Sequence, residues 1–114
     1  MMYSTFQKKL RKLLKEASDA GFNYTWQKKA VPPDIRKQAR KRLEEFQSFK
    51  EIAEAVKGND VLDEAYHDFV STLTQLSRKE VKDFGLGCLA CSKGYERLLI
   101  EWQWFTDLLD PKDD

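Results

Sequence analysis

The sequence predicts an all-α fold: a bundle of four main helices, mostly antiparallel, ending in a long helix with a heptad pattern. Three observations carry this expectation. Apolar residues recur at spacings of three and four over most of the 114 residues. Gly and Pro are sparse, with five and three copies, so turn-rich β patterns are missing. The main breaks, at Gly21, Pro32-Pro33, Gly58-Asn59 and Asp110-Pro111, separate segments of helical length.

The first helix is expected from Thr5 to Ala20. Ser4 stands at the N-cap and Gln7 three residues later completes a capping box. Phe6, Leu10, Leu13, Leu14 and Ala17 fall on one face, with Lys8, Arg11, Lys12 and Lys15 opposite, and Gly21 ends the helix. Residues 21–33 connect to a second helix that starts at Pro33 or Asp34 and should continue to Lys57. Its apolar face is Ile35, Ala39, Leu43, Phe46, Phe49, Ala53 and Val56. Arg42 lies at the edge of that face, where a long side chain can lay its stem on apolar surface. The third helix starts near Asp60 and presents Leu62, Tyr66, Phe69, Leu73 and Leu76.

Ser77-Arg-Lys-Glu80 has the form of a second capping box, which predicts a fourth helix from there to about Leu109. Val81, Phe84, Cys88, Cys91, Tyr95, Leu98, Trp102, Phe105 and Leu109 make a seam at alternating spacings of three and four. Gly85 and Gly87 mark where this helix would kink, since each internal Gly costs roughly 1 kcal/mol against Ala. Gly87 and Gly94 flank the seam and leave room for a bundle neighbour or a second copy of the chain. Leu86, Leu89, Ile100 and Trp104 form a second apolar set away from the seam. A helix apolar on two faces is either central to a bundle or carries a partner surface. On the second reading Leu89, Ile100 and Trp104 are the anchors, because Trp is enriched at interface hot spots. The whole of 1–114 reads as one domain, with 110–114 a frayed acidic tail.

The chemistry-bearing residues are few. The single histidine, His67, excludes most catalytic constellations, and no phosphate loop, nucleophile elbow or zinc-protease motif occurs. Glu64 and His67 have the spacing used in di-iron bundles, but that site needs two such motifs and two further Glu. Cys88 and Cys91 have the spacing of a zinc or redox pair. No second pair exists to complete a zinc site, and both cysteines fall on the seam as small core residues. No catalytic residue, metal or other cofactor, and no small-molecule substrate is expected. No apolar run approaches the roughly 20 residues that span a bilayer, and no secretory signal is recognisable at the start. Two cysteines without a signal fit a reducing compartment, so a cytoplasmic location is expected, with no membrane partner.

The net charge of +1 hides a division. Residues 1–50 hold 13 Lys and Arg against 5 Asp and Glu, a balance of +8, and residues 51–114 hold 7 against 14, a balance of −7. Such halves either neutralise each other or leave a surface for a polyanion. In the second helix Arg36, Lys37, Arg40 and Lys41 crowd the N-terminal end, where the helix dipole is already positive. Acids of the C-terminal half, or an external polyanion, would offset the repulsion. Nucleic acid would suit, with Trp26, Lys28 and Lys29 of the preceding connection joining by stacking and charge. The third helix opens with Asp60, Asp63 and Glu64, which repel phosphate, so a helix-turn-helix reader is not expected.

The sequence thus supports two functions. The first is a small non-catalytic helical protein acting through protein–protein contacts, with another protein or a second copy of itself as partner. The alternative is a nucleic-acid-binding protein that uses the basic N-terminal half.

Overall fold

The computed structural model describes residues 2–22, 29–81 and 94–109. Five helices stand among the described residues: α1 (Met2–Asp19), α2 (Pro33–Ser48), α3 (Lys50–Ala55), α4 (Asp60–Leu76) and α5 (Gly94–Leu109). Two strands of two residues each, β1 (Lys29–Ala30) and β2 (Glu80–Val81), pair antiparallel. They form a clasp rather than a sheet layer, so the fold is an all-α bundle.

Ring contacts give the helix directions. Phe6 of α1 lies 6.2 Å from Phe46 of α2, while Gln38 of α2 donates to Glu16 of α1 at 2.7 Å, so these two helices run antiparallel. Phe46 stacks on Phe69 of α4 at 4.2 Å, and the Val31 amide donates to the Lys79 carbonyl at the other end of that pair. Phe69 lies 6.4 Å from Trp102, and Tyr66 lies 6.3 Å from Phe105, which sets α5 antiparallel to α4. Phe6, Phe46, Phe69 and Trp102 meet at the centre, and all four are buried. The apolar faces read for α1 and α4 are in the core, with Tyr66 half-buried at its margin.

The caps decide where the helices stop. At the end of α1, Phe22 N–H donates to the Ala17 carbonyl and Gly21 N–H to the Ser18 carbonyl, with Gly21 at φ 92°. That is a Schellman closure, which needs a residue tolerant of left-handed backbone. Between α3 and α4, Gly58 at φ 80° turns the chain, and the Asn59 side-chain oxygen accepts the Leu62 amide at 3.2 Å. Replacing Asn59 with Ala leaves that amide without its acceptor and should cost about 1 kcal/mol, read as a lower urea midpoint at unchanged m.

Four expectations need correction. The first helix begins at Met2, so Ser4 lies inside α1 and caps nothing. The second helix ends at Ser48, because Phe49 leaves helical geometry with ψ 87°. Its ring packs 5.0 Å from Tyr3, 5.4 Å from Phe6 and 5.9 Å from Trp102, and that contact set holds the chain bent. The bend rephases the next turns of helix: Ile52 is buried, and Ala53, expected in the core, is half-buried. The third correction concerns Ser77, which caps the end of α4 instead of starting a helix. Its hydroxyl donates to the Thr74 carbonyl at 2.7 Å. Glu80 and Val81 then lie in β2, so no helix runs from Ser77, and α3 makes a fifth helix where four were expected. Of the long seam, Leu98, Trp102 and Phe105 are buried. Phe84, Cys88, Cys91 and the expected kink at Gly85–Gly87 lie outside the described residues, as does the tail 110–114.

Candidate functional site

Two surfaces stand out, one apolar and one basic. The apolar surface is on α5. Leu98, Trp102 and Phe105 turn inward, so residues on the other side of the helix face solvent. Ile100 and Trp104 are 53% and 43% exposed, and Leu108, one turn further, is 48% exposed. Positions i, i+4 and i+8 lie along one stripe of a helix. The structure therefore brings together two of the three expected anchors, Ile100 and Trp104, and adds Leu108. Leu89 lies outside the described residues. Leu108 had a sequence signal, its four-residue spacing from Trp104. Val61 on α4 is the other exposed large apolar residue among those described, and it stands apart at the start of its helix.

The basic surface is built by α1 and α2. Gln38 joins the two helices by donating to Glu16, and it also donates to Asp34 at 2.9 Å. One turn from Glu16 along α1 is Lys12, and one turn from Gln38 along α2 is Lys41. The helices are antiparallel, so both steps go in the same direction and the two lysines flank the junction at one level. Lys37, Arg40 and Lys41 are exposed, and Arg36 is half-buried. The Arg36 Nε is shielded from solvent and has no acceptor among the described residues. Arg42 is buried, and its Nε donates to Glu45 at 2.7 Å. Trp26 and Lys28 lie outside the described residues, and the Lys29 backbone is in β1.

The ion pairs found among the described residues are Lys15–Asp19, Arg42–Glu45, Glu54–Lys57 and Asp63–His67, each within four positions of sequence. Arg36, Lys37, Arg40 and Lys41 have no carboxylate within 4.0 Å among the described residues. A new basic pair arrives, because the β1–β2 clasp places exposed Arg78 and Lys79 beside Val31, at the start of α2. No local pattern in the sequence could have shown that juxtaposition.

No group of three or more His, Cys, Asp and Glu side chains is placed to hold a metal ion among the described residues. His67 is exposed, with Nδ1 2.9 Å from the Asp63 carbonyl oxygen, and it belongs to the outer surface of α4. Two phenols are perturbed. Burial raises Tyr3 above its ordinary value, with a smaller push from the Glu51 carboxylate, and burial alone raises Tyr66. Both rings edge the aromatic core and stay neutral near pH 7. No helix among the described residues is long and apolar enough to cross a membrane. No family model matches the chain, and no curated protein or solved structure shows significant similarity to it.

Proposed function

We propose that this chain is a non-catalytic binding module that lays the Ile100–Trp104–Leu108 stripe of α5 into an apolar groove of a partner protein. The observation that carries the reading is the exposure of three large apolar side chains at i, i+4 and i+8 on a helix whose opposite face is locked in the core. An apolar stripe at helical spacing is what a groove-binding helix presents. Exposed contiguous apolar surface on a small soluble domain commonly marks an interaction site. Eight residues of helix extend the stripe over about 12 Å. That is short against the roughly 800 Å² per side of a stable protein–protein interface, so a groove that wraps the helix fits better than a flat pairing of two copies. Trp104 sits at the middle of the stripe, where hot-spot residues concentrate.

Co-purification from the native source, followed by titration of the recovered partner, tests the reading. The expected result is a stoichiometric partner whose affinity falls by about 30-fold or more with Trp104→Ala, the size of a hot-spot truncation, and is lost with Ile100→Asp. Sedimentation of the purified chain should show a monomer. A partner held equally well by both variants, or a dimer broken by them, overturns the proposal.

A further inference from the structure

We infer that the face shared by α1 and α2, extended by Arg78 and Lys79 at the β1–β2 clasp, binds the phosphate backbone of double-stranded nucleic acid. This surface is distinct from the α5 stripe and does not depend on it. Lys12 and Lys41 are both exposed and lie at one level on the two sides of the α1–α2 junction. Lys37 and Arg40 continue the charge to the start of α2, and the clasp adds Arg78 and Lys79 there. None of these six has a carboxylate partner among the described residues. The N-terminal pole of α2 adds further positive potential at the same end. Like charges gathered from three parts of the chain repel one another in the free protein, and a row of phosphates between them would reverse the sign of that interaction.

The surroundings select the ligand class. An anionic membrane would need an apolar flank to insert, but Phe6, Leu10, Leu13, Leu14 and Ala17 of α1 are all buried in the core. A protein partner would need an apolar or aromatic centre to its interface. The exposed large apolar residues among those described, Val61, Ile100, Trp104 and Leu108, belong to α4 and α5. A single strand would call for exposed rings on which bases stack. Among the described residues this face offers basic side chains around the Gln38-held carboxylates of Glu16 and Asp34 and no exposed large apolar side chain, which suits contact with a duplex backbone without reading bases. From the level of Lys8 to the start of α2 it runs about 20 Å, a length of duplex that carries roughly twelve phosphates.

Fluorescence anisotropy on labelled mixed-sequence duplex DNA, duplex RNA, single-stranded DNA and phosphatidylcholine–phosphatidylserine vesicles tests the inference. Four phosphate contacts predict binding to at least one duplex that weakens about 100-fold between 50 and 200 mM salt. The combined reversal Lys37→Glu, Arg40→Glu, Lys41→Glu should abolish binding at 50 mM salt while the helical circular dichroism is kept, since all three side chains are exposed. Arg78→Glu with Lys79→Glu should lower both the affinity and the salt slope, which shows that the clasp contributes to the face. Lys12→Glu is an independent check from α1 should the triple variant fold poorly. Absence of duplex binding at 50 mM salt overturns the inference. So does duplex binding that survives the reversals, a clear preference for single strands or for vesicles, or an unchanged affinity in the Arg78–Lys79 variant. DNA and RNA duplexes compared side by side identify which backbone is preferred.

Discussion

Replacing Phe46 with alanine should lower the free energy of unfolding by about 3–5 kcal/mol. The ring is fully buried and stands where all the long helices meet. It stacks on Phe69 at 4.2 Å and lies 4.9 Å from Tyr66, 5.7 Å from Phe105, 6.2 Å from Phe6 and 6.3 Å from Trp102. Truncation removes the transfer energy of the ring and leaves a cavity walled by other rings, which are too stiff to collapse into it. A domain of this size has a stability of about 5–15 kcal/mol, so one substitution removes a large part of it. Urea denaturation should show a much lower midpoint with the slope unchanged. Trp104→Ala is the natural control. Its side chain faces solvent on α5, and its stability cost should stay within about 0.5 kcal/mol although a large aromatic is lost. A Phe46→Ala cost below about 1 kcal/mol would show that the aromatic centre does not hold the helices together.

The second large effect concerns Arg42 and Glu45. The guanidinium is buried, and Glu45, with its side chain 40% exposed, accepts from Arg42 Nε at 2.7 Å. Glu45→Ala strands a buried charge, which should cost about 1–3 kcal/mol. Arg42→Met keeps the length of the side chain and removes the charge. A buried ion pair gains little over an apolar replacement of the same shape, so this variant should be neutral or slightly stabilising. Thermal melts of the two single variants and the double variant separate the alternatives. If Arg42→Met costs more than Glu45→Ala, the guanidinium makes a contribution beyond this pair.

The sequence and the structure agree where a pattern is local and uninterrupted. Phe6, Leu10, Leu13, Leu14 and Ala17 fix one face of α1, and Leu62, Phe69, Leu73 and Leu76 fix one face of α4, because 3.6-residue periodicity is a property of each segment alone. Gly21 was legible as a stop for the same reason. The break at Phe49 was not, since Phe46, Phe49 and Val56 keep their spacing across it and no Gly or Pro marks the place. The bend comes from Tyr3, Phe6 and Trp102 gripping the ring, which is a tertiary cause. Ser77 shows how a short motif misleads. Its hydroxyl can serve a following helix or a preceding one, and pairing of Glu80 with Ala30 decides for the preceding one. The candidate surfaces divide in the same way. Ile100, Trp104 and the Arg36–Lys41 run were visible as residues on one helix. The common level of Lys12 and Lys41, and the placing of Arg78 and Lys79 near the start of α2, required helix packing and a contact between distant strands.

The clasp between Ala30 and Glu80 has a consequence for the order of folding. Closing the loop between these residues costs roughly 3.5 kcal/mol in chain entropy. The few backbone hydrogen bonds of a two-residue ladder return about 0.5–1.5 kcal/mol each. They do not nucleate the bundle by themselves. Packing of Phe46 on Phe69 draws α2 and α4 together and shortens the gap that the strands close. The clasp should therefore form late: destabilising substitutions at Ala30 or Glu80 are expected to speed unfolding and leave the folding rate nearly unchanged, so the basic surface at that end would be completed after the hydrophobic interior.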